Sequence, residues 1–331
     1  MSLPVSLRRA ALALALLAPA TAAAAPQPPA PATKLDRSQA GFYRFKVGAI
    51  DVIALSDGTL PLDTKVLHKD PAGVAALLRQ AYVASPVDAS VNAFLIEIDH
   101  RVVLVDAGAG ELYGPTLNKL PAALRAAGYA PEQVTDILIT HIHTDHSGGL
   151  MDGSRRVFPN AVVHVDKREL EFWLTPGNLE RLPAAQKQLF ARLFDEAKLK
   201  VTPYVAAGKV KTFDGATQLF SAIRSVPTPG HTPGHTFYVL ESNGEKLVFW
   251  GDILHVAEAQ LPEPSITIDF DLDPKAAGAQ RAKVFAEAAR QGYLVAPAHI
   301  AFPGIGHLRS DGAGYRWIPV PYVNDAVPAT K

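Results

Sequence analysis

Alternation of apolar and polar positions is the first regular feature along the chain. In "AIDVIALSDG" (49–58) it predicts a strand with one buried face, ending at an Asp-Gly turn. "VNAFLIEIDH" (91–100) and "RVVLVDAGAG" (101–110) predict a hairpin with a tight turn near Asp99 and His100. "VTDILIT" (134–140) is short and mostly apolar, as a strand covered on both faces would be. Between these segments, "LNKLPAALRAAGYA" (117–130) shifts to helical spacing and stops near Gly128.

The second half repeats the style. "NAVVHVDKRELEFWL" (160–174) reads as strand then helix, and "AAQKQLFARLFDEAK" (184–198) as an amphipathic helix. Three strands follow in "ATQLFSAIRSVPT", "HTFYVLES" and "EKLVFWGDIL". "PKAAGAQRAKVFAEAARQG" (274–292) predicts a helix, and "YLVAPAH" (293–299) a last core strand. Strands first and a helix afterwards, twice over, predict an α/β unit of the αββα sandwich type over 41–331, with two mixed sheets and helices on the outer faces. No period of a solenoid or propeller is present.

Composition narrows the function. The chain is 48% hydrophobic, enough for a large core, and its formal net charge of zero argues against a nucleic-acid partner. The N-terminus places Arg8 and Arg9 before a short apolar run, Ala10 to Leu17, and small residues at Ala22 to Ala25. This three-part pattern predicts an export signal over 1–25, a periplasmic or secreted product, and no membrane attachment after cleavage. Residues 26–40 form a proline- and alanine-rich arm. The chain contains no cysteine, which removes disulfides and every thiolate zinc site.

The densest chemistry lies in "ITHIHTDHSGGL" (139–150), where His141, His143, Asp145 and His146 follow an apolar strand. Side chains leaving a strand end on a glycine-flanked loop can converge, and imidazole with carboxylate suits zinc and its neighbours. Other apolar segments also finish in ligand types: His231 and His235 in "PTPGHTPGH", Asp252 in "LVFWGDIL", and His299 in "YLVAPAHIAFPG". Five histidines and two aspartates from these positions suffice for two metals sharing one carboxylate.

These residues resemble the metallo-β-lactamase superfamily of hydrolases, and Asp106 in "LVDAG" matches a further strand-end aspartate of that family. "ALSDGT", "GLMDGS", "AFPGIGH" and "GYRWIPV" are similar to the branch holding methyl parathion hydrolase and secreted lactonases. The resemblance implies two divalent ions, zinc above all, with His141, His143 and His231 around one and Asp145, His146 and His299 around the other. Asp252 would bridge them, and His235 would buttress. His68, His100, His164 and His307 match no ligand position.

The same resemblance implies hydrolysis by a metal-activated hydroxide, with Asp145 relaying a proton. It also implies a homodimer. Many acyl-homoserine lactonases of this family carry a tyrosine three residues after the bridging aspartate; here that position is His255, a candidate substrate contact. Tyr113, Trp173, Phe190, Ile268 and Phe270 are candidate pocket residues. A neutral, aromatic-lined pocket predicts uncharged lactones or aryl esters as substrates, with phosphotriesters as secondary ones. A phosphotriesterase of the methyl parathion type, and a non-catalytic exported zinc-binding protein, are the two alternatives.

Overall fold

The strands assemble into two seven-stranded sheets in a computed structural model that describes residues 39–324. The expected export signal and residues 26–38 of the arm lie outside the described residues. From Ala40 onward the chain groups into one unit.

In the first sheet β1 (Phe42–Val47), β2 (Ile50–Leu62), β3 (Val87–Ile98), β4 (Arg101–Val105) and β5 (Asp136–Leu138) lie side by side in chain order. After a small ribbon, β6 (Met151–Asp152) with β7 (Arg155–Arg156), the sheet is completed by β8 (Val162–Asp166) and β9 (Val210–Phe213). Pairing is antiparallel from β1 to β4 and parallel from β4 to β9. The second sheet runs β10 (Gln218–Phe220), β11 (Ile223–Pro227), β12 (Thr236–Ser242), β13 (Glu245–Gly251), β14 (Leu294–Pro297), β15 (Gly306–Asp311) and β16 (Gly314–Pro319). Only β13 and β14 pair in parallel there.

Period-two alternation sorts the side chains into layers. On β2, Val52 and Ala54 face the second sheet and pack with Tyr238, Leu240 and Phe249. Ile53 and Leu55 face the other way, toward Leu124, Phe194 and Val201 on the helices α2 (Leu120–Ala126) and α5 (Ala184–Ala206). The outer face of the second sheet presents Val239, Val248 and Trp250 to Val284 and Phe285 of α7 (Pro274–Gln291). Trp250 stacks on Phe285 with ring centroids 5.5 Å apart. Full burial of side chains of this size contributes roughly 2–3 kcal/mol each. The result is the expected αββα sandwich.

Two local differences from the sequence reading have simple causes. The strand from residue 50 does not stop at Asp57-Gly58: it bulges between Ser56 and Gly58 and continues to Leu62 against β3. The helix begun at Ala184 runs to Ala206, because Leu193, Phe194, Ala197, Val201 and Tyr204 keep its buried stripe going. The predicted hairpin turn is present, with Asp99 and His100 at φ 52° and 58°, the pair of positive values that matches strand twist. Among the described residues no helix is long and apolar enough to cross a membrane.

Candidate metal centre

Each ligand candidate leaves the C-terminal end of a strand, on the edge where loops from both sheets meet. His141 and His143 follow β5, and Asp145 and His146 lie on the one-turn helix α3 (Thr144–Ser147). His231 sits in the loop from β11 to β12, Asp252 just after β13, and His299 just after β14. All of these except the partly covered Asp145 are buried.

Two groups of ligand atoms form. His141, His143, His231 and Asp252 make one, and Asp145, His146, Asp252 and His299 the other, with the atoms of each group within 4.8 Å of one another. Asp252 belongs to both because its two oxygens divide between them. Its Oδ2 lies 3.4 Å from His231 Nε2 and 3.6 Å from His141 Nε2. Its Oδ1 lies 3.0 Å from His146 Nε2 and 3.1 Å from His299 Nε2.

The donor set fits metal ions on two grounds. Ligands about 2.0–2.1 Å from a tetrahedral ion stand roughly 3.3 Å from each other, the spacing seen here. In addition, His141 Nε2, His146 Nε2 and Asp252 Oδ1 are buried without a hydrogen-bond partner, an arrangement that costs free energy unless a cation takes the lone pairs. Burial raises the Asp252 pKa, but the surrounding imidazoles of His146, His299, His141 and His255 outweigh it and hold the carboxyl well below its ordinary range. Burial, joined by neighbouring imidazoles, pushes His141 and His143 well down, which favours the neutral, metal-binding form.

The rings are also fixed from behind. Asp106 accepts from His146 Nδ1 at 2.8 Å and from the Thr140 amide at 2.8 Å, tying α3 to the end of β5. His231 Nδ1 bonds Asp271 Oδ1 at 2.8 Å, and His299 Nδ1 donates to the Ser90 carbonyl at 2.8 Å. Such outer partners set tautomer and ring direction. Asp271 escaped the sequence reading, since "DFDLD" carries no spacing relation to His231. His235 stays outside both groups. His164 pairs with Asp136, His68 with Asp269, and His307 with the Gly292 carbonyl, all away from the centre.

The centre forms the floor of a cavity of about 440 Å³. Its wall is largely apolar, with Leu60, Leu62, Val66, Leu193 and Phe270, and Arg192 is the only Lys or Arg among the described residues that line it. Of the expected pocket residues, Tyr113, His255 and Phe270 line the cavity, and three others do not. Trp173 and Phe190 are fully buried behind His143, with ring centroids 5.3 and 6.1 Å from its ring. Ile268 is buried in a separate cluster and bridges to Leu67. Both helices point these aromatics inward for packing, so they brace the ligand instead of facing substrate. His255, which lines the cavity, also touches the shared carboxylate: its Nε2 lies 3.1 Å from Asp252 Oδ2.

Residues 87–299, which span all the ligand strands, match the metallo-beta-lactamase superfamily. The chain belongs to that superfamily. This superfamily member is similar to a solved hydrolase, AbOPH, at 36% identity and a TM-score of 0.83, over 87% of this chain and 100% of that one. It is also similar, at 26% identity and a TM-score of 0.79, to AidC, a dizinc quorum-quenching lactonase solved with a product, over 86% of this chain and 99% of AidC. An N-acyl homoserine lactonase of Bacillus cereus is 24% identical over 56% of this chain and 74% of its own length. Of the uncharacterized protein YobT of Bacillus subtilis, 27% identical over 46% of this chain, the match spans little more than half, 58%.

Proposed function

We propose that this superfamily member is a dinuclear metal-dependent hydrolase of lactones or aryl esters, with phosphotriesters as secondary substrates. The division of the Asp252 oxygens between two ligand groups, at the floor of an apolar cavity, carries the reading. His141, His143 and His231 would hold one ion, Asp145, His146 and His299 the other, and Asp252 both. When bound, two zinc ions would supply water activated near neutral pH and a Lewis acid for the carbonyl or phosphoryl oxygen.

The chain's own groups do the rest. Leu193 and Phe270 give the cavity apolar wall surface and favour an uncharged, apolar substrate. His255 steadies the Asp252 carboxylate through Nε2. Tyr113 keeps its proton, because burial and the nearby Asp145 push its pKa up, and so offers the cavity a hydroxyl donor. Asp145, partly exposed at the cavity wall, would relay a proton.

The product-bound lactonase AidC and the lactonase of Bacillus cereus support the lactone class. Phosphotriester hydrolysis as the main activity is the second reading, since a phosphotriester is as uncharged as a lactone and suits the same largely apolar wall, on which the single described Arg or Lys, Arg192, pairs with Glu196 at 2.5 Å. Specificity constants for dihydrocoumarin, an acyl-homoserine lactone and methyl parathion, measured side by side, decide between them. A tenfold preference for the phosphotriester would reverse the ranking. Absence of metal-dependent turnover on all three would leave a zinc-binding protein without catalysis.

Export, zinc and a homodimer belong to the same proposal. Arg8–Arg9 and the apolar run after them support export, tested by cell fractionation and by sequencing the mature N-terminus. Elemental analysis of the purified protein tests zinc, and light scattering tests the dimer.

A further inference from the structure

Glu169 is a carboxylate with no solvent exposure, on the first turn of α4 (Lys167–Leu174), and it is absent from both ligand groups. Its four hydrogen bonds go to three segments. Oε1 accepts from the Ile142 amide at 2.8 Å and from Trp173 Nε1 at 2.7 Å. Oε2 accepts from Thr232 Oγ1 at 2.7 Å and from the Gly234 amide at 2.9 Å.

Ile142 is the residue between His141 and His143, and Thr232 is the residue after His231. One side chain therefore grips both loops that supply the three histidines of one ligand group. The contact is close as well as polar: a Cβ on Gly234 would stand 2.3 Å from the Glu169 backbone nitrogen, so only glycine lets this loop reach the helix. Asp145, His146 and His299 receive nothing from Glu169; Asp106 and the Ser90 carbonyl hold their group.

We propose that Glu169 is the positioning residue for one metal site only, that of His141, His143 and His231, by clamping the two loops that carry them. This rests on the dinuclear reading above. Its chemistry requires a carboxylate in particular. An amide in the same place could accept on one oxygen, but its NH₂ would oppose the Gly234 N–H, and one loop would be released.

Glu169→Gln tests this, compared with the intact chain for metal content and affinity. Cobalt(II) titration with a competing chelator reads the two sites in turn, and the amide N–H proton resonance of Gly234 reports whether the clamp is made. The expected result is one site weakened about 10–100-fold, the loss seen when a partner behind a ligand is removed, with the other within threefold of the wild type. The Gly234 amide resonance should move upfield. Equal weakening of both sites, or unchanged affinity at both, would overturn the proposal. Should Glu169→Gln fail to fold, Thr232→Val removes one of the four donors and is judged by the same site-selective loss. A wild-type chain that binds fewer than two ions would instead sink the dinuclear reading, which keeps the two failures apart.

Discussion

The ring of His235 accepts the backbone N–H of Asp252 on Nε2 at 3.1 Å and contributes no atom to either ligand group. Its Nδ1 bonds Thr228 Oγ1 at 2.8 Å, so the imidazole works as a neutral strut between two loops. Burial, reinforced by the neighbouring His231, brings its pKa down to about 3, which keeps the ring neutral near neutral pH. Two histidines four residues apart thus have different tasks. His231→Ala should cost more than ~100-fold in affinity for one ion, and His235→Ala about tenfold. Metal retention after dialysis against a chelator measures both, and equal losses would refute the distinction.

Asp252→Ala should empty both sites together, because it is the one described residue shared by both groups. His141→Ala should weaken one site far more than the other. Elemental analysis of each variant gives the ratio of ions per chain. A variant without Asp252 that still holds two ions would show that the carboxylate does not bridge.

Gly251, one residue before the shared aspartate, has φ 49°, and a Cβ there would stand 2.8 Å from His235 Nε2 and 2.9 Å from Thr140 Oγ1. Left-handed backbone costs a residue with a side chain about 1–2 kcal/mol before any clash. Gly251→Ala should therefore destabilise the fold by at least ~1 kcal/mol and disturb Asp252. A urea midpoint equal to the wild type would contradict this.

Asp136 contributes to the acid limb of stability. Burial raises its pKa, but hydrogen bonds from His164 and Arg101 outweigh that and bring it down to about 2, from an ordinary 3.8. A depressed folded-state pKa stabilises above the unfolded value, and the contribution fades as pH falls from about 4 through 2. Arg101 is 47% exposed, so screening reduces the contribution to roughly 1–2 kcal/mol. Asp136→Asn should cost that much at pH 7 and nearly nothing once the pH falls below the folded-state value of about 2, as read from denaturant midpoints across the range. A cost independent of pH would place the effect in packing instead.

Tyr113→Phe should leave metal content unchanged and lower kcat by about tenfold, somewhat less than a positioned proton donor contributes. A rise in KM with kcat unchanged would make the phenol a binding contact only.

Much of the centre is legible in the chain alone. Strand-end positions, together with the family resemblance they carry, pick out the seven residues that form the two candidate ligand groups, and the split of "HIHTDH" between them matches the geometry. The aromatic residues are legible only as buried. Helical periodicity shows that Trp173 and Phe190 turn inward, but not whether the space they meet is cavity or core, and here it is the back of His143. Glu169 gives no signal, because an acid on the first turn of a helix reads as a solvated charge satisfying the helix dipole.

The sequence by itself determined the layer order, through period-two strands and helical stripes, and the kinds of atom that meet at the loop edge. Those are properties of local spacing, and local spacing survives in one dimension. Which Asp252 oxygen serves which group, which histidine is a strut, and which carboxylate grips two loops were decided by the tertiary structure. Each depends on ångström-scale distances between segments tens of residues apart, and only the packing of two sheets against each other sets those.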